Sequence, residues 1–128
     1  MKKYLVIGNP IDHSLSPKLH NHWLQENKID GKNYKKKINK NELKDLITKI
    51  RNKEIHGINV TVPFKKDVIS YLDELSLEAK ETKSVNTIYL NDDKVVGHNT
   101  DIGGFEKAIK ITGYNLLNKK IFILGAGG

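Results

Sequence analysis

A chain of 128 residues has the length of about one domain and can bury a single core without a disulfide or metal staple. Its composition, 38% hydrophobic and 29% charged with no cysteine, is that of an ordinary globular protein; it excludes a disulfide framework and thiolate chemistry and fits the cytoplasm. The net charge of +7 raises nucleic acid as a partner, but the densest run, Lys35-Lys36-Lys37, reads as solvated surface without clustered aromatics, so none is expected and the field at most favours a small anion.

The first apolar run, residues 4–8, stops at Gly8-Asn9-Pro10. It is too short for a signal-peptide core of about 7–15 residues, and no stretch reaches the roughly 20 needed to span a bilayer. A buried strand is predicted, and no membrane partner. Ser16-Pro17 predicts a helix start, with Ser16 as N-cap and proline in the first helical position. Leu19 and Trp23 follow at helical spacing, which carries the helix to about Lys28 and puts Trp23 in the core. Asp30-Gly31 marks a turn, and Tyr34, Lys36 and Ile38 alternate with lysines as an edge-type strand.

Asn39 with Glu42 three residues later has the form of a capping box. Leu43, Leu46, Ile47 and Ile50 then fall at i, i+3, i+4 and i+7, the apolar stripe of an amphipathic helix. Residues 57–62 form a β-branched strand halted by Pro63. Phe64, Val68 and Leu72 predict one side of a further helix, and Ser76 the cap of a short one. Strands over 85–90 and 94–98 flank Asn91-Asp92-Asp93 as a hairpin. Asn99-Thr100-Asp101 opens a last helix that ends at Gly113. An apolar strand over 120–124 runs into Gly125-Ala126-Gly127-Gly128.

Strands alternating with helices predict an α/β three-layer sandwich whose sheet is mixed and mostly parallel, the hairpin supplying one reversed strand. In such sheets ligands bind outside the carboxyl ends of the strands. That rule collects Ser14, Ser16, Asn59, Thr61, Lys65, Asn86, Asn99 and Asp101: hydroxyls and amides suited to a hydroxylated acid, with a lysine and an aspartate able to move a proton. Each alone has a plainer reading, as a cap, a strand filler or an exposed lysine. Five histidines lie in scattered segments; His20 and His22 are two apart, unlike the i, i+4 pair of zinc helices, so no metal is expected.

Taken together, residues 8–17 (GNPIDHSLSP), 59–65 (NVTVPFK), 84–87 (SVNT) and 97–101 (GHNTD) resemble, in order, the motifs of the shikimate dehydrogenase family. The resemblance runs the length of the chain. It implies reversible NADP-dependent interconversion of 3-dehydroshikimate and shikimate, a step of aromatic amino-acid (chorismate) biosynthesis. It implies that Ser14, Ser16 and Thr61 bind the substrate carboxylate, that Asn59, Asn86 and Asp101 hold ring hydroxyls, and that Lys65 and Asp101 form the catalytic pair. Lys65 is the proton carrier and Asp101 its orienting partner. Lys65 is expected in the first turn of a helix, whose positive end disfavours a cation. Ile102 stands where many relatives carry glycine.

The resemblance also divides the chain. Residues 1–100 are expected as the substrate-binding domain, 101–118 as a connecting helix and linker, and 119–128 as the first strand and Gly-rich loop of a truncated NADP-binding Rossmann domain. Gly125, Ala126, Gly127 and Gly128 are the cofactor-binding positions, and the chain alone is expected to be inactive. A homodimer is compatible with the pattern. The rival readings are a quinate/shikimate dehydrogenase and a non-catalytic module that binds a hydroxy acid.

Overall fold

In the computed structural model, which describes residues 1–125, the chain runs β1 (Lys2–Gly8), α1 (Ser16–Glu26), β2 (Gly31–Lys37), a 3₁₀ turn (Lys40–Glu42), α2 (Leu43–Arg51), β3 (Gly57–Val60), a 3₁₀ helix (Asp67–Tyr71), β4 (Glu74–Leu75), α3 (Leu77–Thr82), β5 (Thr87–Asn91), β6 (Lys94–His98) and α4 (Asp101–Ile111). The strands make one six-stranded sheet in the order β2-β1-β3-β5-β6-β4. β1 pairs in parallel with β2 and β3, and β6 with β4. β5 is antiparallel to both its neighbours, β3 and β6. It is the single reversed strand of a mostly parallel sheet, as expected.

β1 is central and covered on both faces, which is why its sequence is a continuous apolar run: Leu5, Val6 and Ile7 are all buried. Leu5 and Ile7, with Ile58 and Val60 of β3, join one cluster with the stripe Leu43, Leu46, Ile47 and Ile50 of α2 and with Ala79 of α3. Each such leucine, isoleucine or valine contributes about 1.5–3 kcal/mol on full burial. Asn39 N–H donates to Glu42 Oε2 at 2.8 Å, the capping arm that launches the 3₁₀ turn into α2. The opposite face of the sheet carries α1. There Asn21 Nδ2 donates to the Asn33 carbonyl at 3.0 Å, and Asn21 Oδ1 accepts from Asn33 N–H at 2.7 Å.

Several local expectations are corrected. Leu15, not Ser16, occupies the N-cap of α1; the Ser14 hydroxyl accepts from Ser16 N–H at 3.3 Å, so the capping oxygen lies two residues earlier. α1 ends at Glu26 and buries no residue. Trp23 is 50% exposed and not core, because α1 rests on the edge strand β2 through polar Asn21 rather than through an apolar stripe. Beyond Pro63 the chain forms a turn and a 3₁₀ helix instead of an α-helix. Phe64 and Val68 are still buried, but Phe64, Val68, Ile69 and Tyr71 are weak helix formers, and after one i, i+4 bond from Val68 N–H to the Phe64 carbonyl the bonds span three residues, as from Leu72 N–H to the Ile69 carbonyl at 3.2 Å. β3 stops at Val60, and residues 85 and 86 precede β5. Residues 120–124, expected as a strand, pair with nothing among the described residues; a strand needs a neighbouring ladder, and their side chains stand in solvent.

Candidate functional site

The reversal of β5 brings its N-terminal end to the rim that holds the C-terminal ends of β1, β3 and β6. Backbone bonds stitch these ends side by side. Thr61 N–H donates to the Ile7 carbonyl at 2.9 Å, Asn9 N–H to Val62 at 3.0 Å, Val60 N–H to Asn86 at 2.8 Å, and Asn86 N–H to His98 at 3.1 Å. Gly8 lets the first loop come this close, since a Cβ there would lie 2.6 Å from Thr61 Cγ2 and 3.0 Å from the Val62 carbonyl oxygen.

The residues expected to bind substrate come from the segments at this rim. Ser14 sits between β1 and α1, Ser16 at the first position of α1, Asn59 and Thr61 at the end of β3, Lys65 in the following turn, Asn86 just ahead of β5, and Asp101 at the start of α4. Lys65 Nζ donates to Asp101 Oδ2 at 2.7 Å, although 36 residues separate them. The lysine side chain is 20% exposed and the carboxylate 55%. Such a half-open ion pair adds little to stability. Its significance is geometric: one of three ammonium donors is used and two remain for a ligand. The expected helix-dipole effect on Lys65 lapses, because no α-helix follows it. Asp101 does stand in the first turn of α4, where an anion is favoured.

Asn86 is already partly committed. Its Oδ1 accepts from Thr100 N–H at 3.1 Å and from the Thr87 hydroxyl at 3.0 Å, while Nδ2 donates to Thr100 Oγ1 at 2.8 Å. One N–H of the carboxamide is left. Among the described residues no hydrogen bond engages the Asn59 carboxamide or the Thr61 and Ser16 hydroxyls. Asn59 shares its register with Val6 and Thr87, which places it on the sheet face that carries α1.

Two residues do work other than the sequence suggests. Lys35, taken for solvated surface, donates to the Asp12 carbonyl at 2.7 Å and so tethers the loop that bears Ser14; nothing local signals a bond across 23 residues. Asn99, counted as a ligand donor, is 4% exposed and bonded wholly within the chain; an asparagine two residues before a helical aspartate was the available sign. Among the described residues no group of three His, Asp or Glu converges as a metal site, and no helix is long and apolar enough to cross a membrane. Gly125 has φ +101°; Ala126, Gly127 and Gly128 lie outside the described residues.

Residues 6–88 match the family model described as "Shikimate dehydrogenase substrate binding domain". The shikimate dehydrogenase (NADP(+)) of Pelagibacter ubique (strain HTCC1062) is 56% identical over 127 residues, covering 99% of this chain and 48% of that protein. The solved structure of shikimate 5-dehydrogenase from Listeria monocytogenes, in complex with shikimate and NAD, aligns with a TM-score of 0.91 at 36% identity, over 100% of this chain and 44% of that one. Ligand-free 5-ketofructose reductase of Gluconobacter sp. strain CHM43 aligns at TM-score 0.86 and 25% identity, over 99% and 46%. The chain spans about half the length of the curated relatives it matches.

Proposed function

The chain belongs to the shikimate dehydrogenase substrate-binding domain family, and from that premise we propose that it is the substrate half of an NADP-dependent oxidoreductase that interconverts 3-dehydroshikimate and shikimate in aromatic amino-acid biosynthesis. The observation that carries this reading is the 2.7 Å contact of Lys65 with Asp101 on the rim where the other polar residues converge. Residues 1–100 form the substrate domain in this proposal, 101–118 the connection, and 119–128 the opening of the cofactor domain, all in the cytoplasm.

Reduction of a ketone adds a hydride to carbon and a proton to oxygen. NADPH supplies the hydride when bound; Gly125 to Gly128 would hold its phosphates, and the φ of +101° at Gly125 is one that glycine takes without strain. The chain's own task is the proton and the grip. The Lys65 ammonium donates to the carbonyl oxygen as charge builds there, and in the reverse direction the amine takes the proton of the hydroxyl. Asp101 orients that ammonium, balances its charge and accepts from a ring hydroxyl. Ser14, Ser16 and Thr61 donate hydroxyl protons to the substrate carboxylate. Asn59 offers an open amide to a second ring hydroxyl, and Asn86 its one remaining N–H.

A second substrate class has a specific observation behind it. The likeness to a 5-ketofructose reductase joins this fold to another polyhydroxylated ketone. Titration of the chain with shikimate, followed by amide NMR shifts, separates the two. The proposal expects saturable shifts at Ser14, Ser16 and Asn86, and affinity weakened about tenfold or more by Lys65→Ala and by Asp101→Asn, the scale of a lost charged hydrogen bond. A flat titration ends it. A stronger response to quinate or 5-ketofructose than to shikimate reassigns the substrate.

A further inference from the structure

We infer that Asn99 is a positioning residue that sets the distance between Lys65 and Asp101, an inference that rests on the reading of that pair as the substrate and proton-transfer site. Asn99 lies between β6 and α4 with its side chain buried. Its Oδ1 accepts from Asp101 N–H at 2.8 Å and from Ile102 N–H at 3.4 Å. Its Nδ2 donates to the Ser84 carbonyl at 3.0 Å and to Thr82 Oγ1 at 3.3 Å. A carboxamide has two donors and two acceptor sites, so nothing is left over for a ligand. The residue formally at the N-cap of α4, Thr100, makes no side-chain cap bond; Asn99 satisfies two of the orphan N–H groups of that helix instead.

What this carboxamide connects gives it a role beyond capping. Ser84, which Asn99 grips, and Val85, the next residue, are both buried. Val85 N–H donates to the Lys65 carbonyl at 2.8 Å. One dipeptide therefore anchors both partners of the ion pair: Lys65 directly through its backbone, and Asp101 through Asn99. Asn86 adds a second hold by clamping Thr100 from both its N–H and its hydroxyl. Lys65 and Asp101 come from separate loops at the rim of the sheet, and a partly exposed ion pair is too weak to order them by itself. The buried amide supplies the rigidity.

The test is a double-mutant cycle on shikimate affinity, measured by NMR titration of the 128-residue chain at a temperature where every variant is folded. Asn99→Ala is expected to weaken binding about tenfold in the native background and less than about twofold in an Asp101→Asn background. A merely structural role predicts the same loss in both backgrounds, and that result overturns the inference while leaving the site reading intact. Where the alanine variant does not fold, Asn99→Ser keeps a capping oxygen and passes through the same cycle: a loss of about two- to threefold that vanishes with Asp101→Asn supports the inference, and one that persists overturns it. Absence of shikimate binding by the native chain removes the site reading, and this inference with it.

Discussion

The helix α2 and the stretch from Ile102 to Leu124 carry comparable densities of large apolar residues and meet opposite fates. In α2, Leu46 is 1% exposed and Ile50 0%; beyond α4, Ile123 is 83% exposed and Leu124 99%. No residue from 100 to 125 is buried. The stripe of α2 lands on the sheet face formed by Leu5, Ile7, Ile58 and Val60, whereas α4 and residues 112–125 meet no such surface among the described residues. An apolar pattern thus specifies a face, while burial requires a second surface to receive it. The candidate site lies at the boundary, with Lys65 on the packed side and Asp101 on the first turn of the unpacked helix.

The largest expected effect breaks or secures that contrast directly. Leu46→Ala should cost about 2–5 kcal/mol of unfolding free energy in denaturant titrations, as buried leucines do. Leu124→Ala should stay within about 0.5 kcal/mol, as exposed substitutions do. Equal losses would mean that the two regions pack alike. A pair of glycines sharpens the point by sign. At Gly97 a Cβ would lie 2.5 Å from Leu72 Cδ1 and 2.9 Å from Val85 Cγ2, so Gly97→Ala should overpack the core and cost about 1–3 kcal/mol. At Gly104 nothing stands within 4 Å, so Gly104→Ala should stabilise α4 by up to about 1 kcal/mol, seen as slower amide exchange in that helix. Destabilisation by both would show that α4 is held against something tighter than solvent.

The legible parts of the molecule were those where one periodicity or one motif suffices. The stripe of α2, the Asn39–Glu42 box, the Ser76 cap, whose hydroxyl accepts from Ala79 N–H at 3.2 Å, and the reversed hairpin strand all follow from local chemistry. The 3₁₀ helix at Asp67 did not, because Phe64 and Val68 reach the core from either winding. β4, two residues long, has no period to read, and Trp23 looked like core because helical spacing says nothing about what lies opposite. The residues of the candidate site all fall within the four motifs. Their convergence depends on β5 running backwards between β3 and β6, and the work of Asn99 and Lys35 depends on partners 15 and 23 residues away. Such partners have no local trace.

The smallest effect expected is an acid response confined to the packed region. Asp73 closes the sheet onto α2: its carboxylate accepts from Arg51 at 2.8 and 3.1 Å and from Val95 N–H at 2.7 Å, and its own N–H donates to the Val95 carbonyl at 2.9 Å. The Arg51 hydrogen bond, followed by that of Val95, holds the Asp73 carboxyl below the ordinary carboxylate range. A carboxyl with a depressed folded-state pKa adds stability that is fully present above its unfolded value, about 3.9, and lost as pH falls through the folded value. The melting temperature of the native chain should therefore exceed that of Asp73→Asn by a constant margin from about pH 5 to 8, and the two curves should converge below about pH 4. The margin should be small, because the pair is partly open to solvent. Since the stretch from Ile102 to Leu124 contributes only Glu106 as a carboxylate, convergence of the two curves reports on the sheet. A margin that widened on acidification would mean that the Arg51–Asp73–Val95 bridge does not hold the carboxyl in its charged form.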